Sequence, residues 1–157
     1  MNRTVLFILF ALGVCLTAKA EPAVGVTPTV IGRATYPAFT VEAADARALK
    51  FSSAAAAPVD IVVRTHDYVP GSSTGWHTHP GPVFITVVEG TLTFYEYHDR
   101  ACTPKVVSKG QGYVDSGHGH VARNESGAPA RDVSVILAPV GQPFRGELSA
   151  PGPNCKF

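Results

Sequence analysis

Apolar positions in this chain fall into short runs of period two, broken by glycine and proline, and so predict strands rather than helices. Val59–Val69 is rich in β-branched and aromatic residues and ends at Pro70-Gly71, which predicts a strand entering a turn. Val83–Val88 is continuously apolar, Glu89-Gly90 is a turn, and Thr91–Tyr97 alternates, so the two runs predict a β-hairpin. In that second run Thr91, Thr93, Tyr95 and Tyr97 share one face, and Leu92, Phe94 and Glu96 share the other. Glu96 then either approaches a cavity or is solvated, and the surface is the expected place. Lys105–Lys109, Gln111–Asp115 and Gly119–Asn124 predict three short strands. Ala130–Ala138, with alternating Val133, Val135 and Leu137, predicts the last core strand.

The flanks read differently. Glu21–Phe39 carries prolines at 22, 28 and 37, which suits an extended arm along a sheet edge. Glu42–Leu49 is the only run with helical propensity, enough for one or two turns, and Ser52–Pro58 predicts a small-residue loop. Beyond Pro139, prolines at 143, 151 and 153 predict a tail that wanders over the surface as far as Cys155. At the other end Asn2-Arg3, the apolar Thr4–Leu16 and Ala18-Lys19-Ala20 predict a secretory signal peptide cleaved before Glu21. Its apolar run is short of the roughly twenty residues needed to span a bilayer. The expected organisation is a signal at 1–20, an arm and loop at 21–58, a barrel core at 59–140 and a surface tail at 141–157. The expected location is secreted or periplasmic, with no membrane association after cleavage.

Removing the signal from the 157-residue chain leaves enough sequence for one domain with a real core. Thirteen basic and twelve acidic residues give a formal charge of +1, and they form neither a block of like charge nor a basic stripe among aromatics. That distribution excludes nucleic acid and anionic membrane surfaces as natural partners and leaves a small-molecule ligand or substrate, or a protein. Of three cysteines, Cys15 departs with the signal; Cys102 and Cys155 are expected to pair in an oxidising compartment.

The chemistry is concentrated in histidines. His77 and His79, two apart after the glycine-rich Pro70–Gly75, aim both imidazoles at one point if they lie on a strand. About forty residues on, His118 and His120 repeat the spacing beside glycines. His66, alone in its strand, is expected to be packed and hydrogen-bonded, and Trp76 to be a core or pocket wall.

Gly71, His77, His79 and Gly90 fall in register with the first motif of the cupin superfamily, and Gly117, His120 and Asn124 with the second. Val83 or Phe84 stands where the family's first motif has a glutamate, Asp115 replaces a proline, and Gly110 is one place late. The chain therefore resembles the cupins, small β-barrels of jelly-roll type. The resemblance implies an all-β fold, a single jelly-roll barrel with an extended N-terminal arm and at most a short helix. It implies a divalent transition metal (Fe, Mn, Zn, Ni or Cu) held by His77, His79 and His120, without the usual carboxylate; His118 is either a further ligand or a residue of the pocket mouth. It also implies a homodimer. Three-histidine cupins include thiol and diketone-cleaving dioxygenases, so a metal-dependent oxygenase or lyase acting on a small molecule is one expectation. The alternative is a non-catalytic module that holds a small molecule or metal in the same pocket. His118, Asp115, His66 and Glu96 are candidate general bases, and no spacing fixes the role of any of them. Asn124-Glu125-Ser126 matches a glycosylation acceptor, but its asparagine closes the second motif.

Overall fold

Ten strands hydrogen-bond into one antiparallel sheet that folds over on itself, in a computed structural model that describes residues 20–42 and 51–157. The expected signal peptide up to Lys19 lies outside those residues. So does the expected helix, apart from Glu42. In chain order the strands are β1 (Val24–Tyr36), β2 (Phe39–Glu42), β3 (Ser52–Ala55), β4 (Val59–Ser73), β5 (His77–Thr78), β6 (Val83–Glu89), β7 (Thr91–Glu96), β8 (Lys105–Ser108), β9 (Gly112–Asp115), β10 (His120–Arg123), β11 (Ala130–Pro139) and β12 (Gly146–Glu147). One half of the sheet runs β1-β4-β11-β6-β9 and the other β12-β5-β10-β7-β8; the halves meet where Ser73 of β4 pairs Arg123 of β10. The core lies between them. It joins Val62, Val83, Ile85 and Ile136 of the first half to Leu92, Phe94 and Ala122 of the second. This is the all-β jelly-roll barrel that the motifs implied.

The predicted hairpin is corrected by the pairing. β6 bonds to β11 and β9, whereas β7 bonds to β10 and β8. Gly90, at φ +69°, turns the chain from one half of the barrel to the other instead of back along itself. A left-handed backbone is what glycine supplies there, but a turn signal does not say which strand lies next to which.

Three further readings change. Ser52–Pro58 is not only a loop: β3 pairs β2 in a separate two-stranded sheet. In β11 the inward positions are Asp132, Ser134, Ile136 and Ala138, while Val133, Val135 and Leu137 lie half-buried on the other face. The tail does not simply wander. β12 pairs β5, Phe144 packs on the core, and Cys155 is fully buried in a second apolar cluster with Trp76, Tyr95, Cys102 and Val121. That cluster covers the outer face of β7 and β10, which is why Thr93 and Tyr95 are buried as well as Leu92 and Phe94. Cys102 and Cys155 form the expected disulfide, with Cα atoms 5.6 Å apart. β1 lies along the edge of β4, as the prolines of the arm required.

Candidate metal centre

Cross-strand pairing assembles the site. His120 of β10 lies directly opposite His77 of β5, and His79 follows two residues after His77. Ring centroids stand 4.4 Å apart for His77–His120, 5.0 Å for His77–His79 and 5.6 Å for His79–His120. One ring nitrogen from each of the three lies within 4.8 Å of the others, and all three side chains are buried. Among the described residues no other histidine, cysteine or carboxylate joins this group.

Two of the rings are held by their Nδ1, and that of the third faces a carboxylate. The His77 Nδ1–H donates to the Gly75 carbonyl at 2.9 Å and that of His79 to the Phe144 carbonyl at 2.6 Å. His120 Nδ1 stands 3.2 Å from Asp115 Oδ2, off the N–H axis, and neither atom has another partner. A carbonyl can only accept, so the first two rings carry their proton on Nδ1 and leave the Nε2 lone pair free, the tautomer a metal ligand requires. Oxygen acceptors behind three convergent imidazoles are the supporting shell of a histidine metal site, and in this respect the residues fit a divalent transition metal.

Electrostatics agree. Burial, with His120 beside it, pushes His77 well below the usual imidazole range and takes His79 down to about 4, so both rings are neutral at physiological pH. For Asp115, burial acts upward, but the His120 ring, with His79 and the Gly117 amide, outweighs it and holds the carboxyl below its usual range. A pH dependence follows for metal-free protein. The unfolded histidines take up protons near 6.5, before the folded ones do, so the stability contributed by their neutral forms is complete above that pH. It is lost as the pH falls from 6.5 toward 4. His79 alone should account for about 3 kcal/mol of that loss. Denaturant titrations of stripped protein at pH 7 and pH 4 check it, and bound metal should shift the loss to lower pH.

The other candidates separate cleanly. His118 is exposed and packs edge-on to His98 at 5.9 Å, because Gly117 and Gly119 on either side are in the left-handed region at φ +89° and +97° and break the strand alternation. A Cβ on Gly119 would press within 3.1 Å of the His77 carbonyl oxygen, so that glycine also permits the approach of β10 to β5. Glu96 sits at the barrel rim, its carboxylate 2.5 Å from Lys105 Nζ, half-buried rather than free on the surface. His66 is hydrogen-bonded as expected: its Nδ1–H donates to Asp132 Oδ1 at 2.8 Å, and Tyr68 Oη donates to Asp132 Oδ2 at 2.7 Å. Val83, not Phe84, faces the histidines. It is 1% exposed and lines a cavity of about 20 Å³ with His77, His79 and His120, room for roughly one water-sized group. Phe84 points outward at 44% exposure.

A larger cavity of about 460 Å³ adjoins this one, with Arg64, His66 and Thr74 as shared walls. The N-terminal arm from Ala20 to Ala23 and Val26 closes one side, Arg145 and Glu147 another. Sequence reasoning missed Arg64, Asp132, the Phe144 carbonyl and Arg145. The available signal was parity: with Val62 and Ile136 inward, Arg64 and His66 in β4, and Asp132 and Ser134 in β11, are polar residues on the core face.

No curated protein matches the sequence. Among solved structures, the chain is similar to an uncharacterized conserved protein with a double-stranded β-helix domain from Klebsiella pneumoniae, at 24% identity over 57% of this chain and 75% of that one, TM-score 0.49. It is similar to a cupin superfamily protein from Desulfitobacterium hafniense at 9% identity over 50% and 67% of the two chains, TM-score 0.44. It is also similar to an oxalate oxidase in complex with the substrate analogue glycolate at 23% identity over 55% and 45%, TM-score 0.46. Residues 64–136, which contain all three buried histidines and both paired motifs, match the family model of the cupin domain, and this segment of the chain is a cupin domain.

Proposed function

We propose that the barrel holds one divalent transition metal on His77, His79 and His120, and that it acts on a small molecule admitted through the adjoining cavity, as a metal-dependent oxygenase or lyase. The observation that carries this reading is the arrangement of the rings, with Nδ1 atoms turned to oxygen acceptors and three imidazoles converging inside the barrel. Held there with no carboxylate in its shell, the ion supplies its full charge as a Lewis acid, and redox capacity if it is iron, copper or manganese.

The chain's own residues supply the rest. His66 is the one candidate base that both lines the cavity and has its ring oriented, through Asp132. Its Nδ1 is committed to that carboxylate, so Nε2 is the nitrogen able to accept a substrate proton, and Asp132 stabilises the imidazolium that results. Asp115 is turned to His120, Glu96 to Lys105, and His118 to the outside, so none of these competes for the role. The oriented His66 favours turnover over the alternative of a module that only holds its ligand.

Export through a signal cleaved before Glu21 remains part of the proposal, and the Cys102–Cys155 disulfide suits an oxidising compartment. A homodimer is the expected assembly; β1 exposes its outer edge and nearly all its side chains, and sedimentation of the mature chain tests whether a second copy covers it.

Metal content tests the centre. After equal exposure and exhaustive dialysis, the wild type should retain about one equivalent, while His79→Ala and His120→Ala, each lacking one ligand, should retain a tenth or less. Unchanged stoichiometry in either variant rejects the assignment.

A further inference from the structure

Arg64 does not belong to the histidine triad, yet its place in the barrel is unusual for a cation. It is 7% exposed on the inward face of β4, it walls both cavities, and its Nε is buried with no hydrogen-bond partner. The carboxylate whose charge acts on it is Asp132, and both oxygens of that carboxylate are taken, one by His66 and the other by Tyr68. Phe144 offers only its ring, 5.1 Å from the guanidinium carbon. Arg145 is a contrasting case. Its Nε and Nη2 reach both oxygens of Glu147 at 2.6 and 2.8 Å, and it also donates to the Thr74 carbonyl, so its charge is already met.

A buried guanidinium with an idle N–H is costly unless something accepts from it, and the natural acceptor is an oxyanion that the planar fork can grip. Burial and the neighbouring Arg145 lower the Arg64 pKa, but a guanidinium remains charged at neutral pH. The wall around the larger cavity adds a second requirement. Pro22, Ala23, Val26 and Pro28 present an apolar surface from the N-terminal arm, which suits a hydrocarbon portion rather than a second charge.

We infer that the cavity binds a small organic monocarboxylate, its carboxylate on Arg64 between the histidine triad and the wider cavity, its apolar body against the arm. This deepens the metal reading and rests on it for the ligand's position relative to the triad, but the Arg64 contact itself needs no metal.

The test is calorimetric titration of the mature protein, metal-stripped and metal-loaded, with hexanoate, acetate, 1-hexanol and inorganic phosphate, metal content being measured on the same samples. Hexanoate should bind at least tenfold more tightly than 1-hexanol and than phosphate, and more tightly than acetate, in both forms of the wild type. Arg64→Met, which keeps the length and apolar stem, should lose that tenfold preference while retaining the wild-type metal content. Arg64→Lys, which keeps the charge and loses the fork, should fall between. Equal affinity for hexanoate and hexanol in the wild type overturns the inference without need of any variant, and so does a preference for phosphate. Val26→Asp should selectively weaken hexanoate and leave acetate less affected; the reverse would place the hydrocarbon elsewhere and overturn the assignment of the arm. If the metal is absent but hexanoate binding survives, the metal reading has failed and this one stands; metal retained without carboxylate preference is the converse.

Discussion

Replacing Val83 by glutamate is expected to make the stability of the fold depend on metal. Val83 opens β6, pairs Asp115 on one side and Ile136 on the other, and lines the small cavity with the three histidines. Without an ion, a carboxylate there enters a closed apolar and imidazole-lined space near the existing Asp115, which should cost on the order of several kcal/mol or force the new group to hold a proton. With a divalent ion on the histidines, the same carboxylate meets a positive charge and becomes a fourth ligand. Val83→Glu should therefore melt far below wild type when stripped, recover most of the difference on adding metal, and keep its metal at chelator concentrations that empty the wild type. Binding of carboxylates at Arg64 should weaken, because the new charge competes for the same field. Melting curves of both proteins with and without metal check this. A large destabilisation that metal leaves untouched would mean that the Val83 side chain does not face the ion.

The second large effect should come from removing the disulfide. Cys102 and Cys155 are 53 residues apart, and closing a loop of that size restricts the unfolded chain by about 4 kcal/mol. The double variant Cys102→Ser, Cys155→Ser should lose stability of that order in denaturant titration. The loss should be visible at one particular residue. Trp76, the only tryptophan, donates its indole N–H to the Cys155 carbonyl at 3.0 Å, and its ring stacks with Phe157 at 6.5 Å, so the tail is its cover. Its emission should move to longer wavelength in the double variant while the wild type stays blue. Since Trp76 precedes His77, metal should also leave the variant faster. An unshifted emission and unchanged midpoint would show that packing of the tail, not the cross-link, holds it down.

Strands were legible wherever β-branched runs ended at glycine or proline, and the histidine spacing was legible because period two is a local property. His77 and His79 needed only their own strand; His120 needed a family pattern to single it out from His118, and the glycines flanking His118 carry the physical reason. What was not legible is nonlocal. The Val83–Tyr97 segment reads as a hairpin until the partners of β6 and β7 are known, since Gly90 serves a hairpin turn and a crossing between barrel halves equally well. In β11 the valines suggested the wrong inward face, because Asp132 and Ser134 sit where apolar residues would normally point. That inversion is itself the mark of a site: His66 and Asp132 are a cross-strand pair, as are Arg64 and Ser134, so the polar residues of two strands meet inside the barrel. The tail was misread because its prolines say nothing about Phe144, whose ring packs on the core and whose carbonyl orients His79.

The position of the arm has a practical consequence for anyone preparing this protein. Ala20 to Ala23 form part of the wall of the larger cavity, and the Glu21 carbonyl lies so close to Gly75 that a Cβ there would meet it at 2.2 Å. Anything fused at that end therefore starts from the wall of the larger cavity. An affinity tag of histidines fused there would add competing imidazoles near the cavity and inflate every metal count. Protein for metal analysis and titration should carry no histidine tag at that end, so that the stoichiometry measured belongs to the barrel and not to the handle.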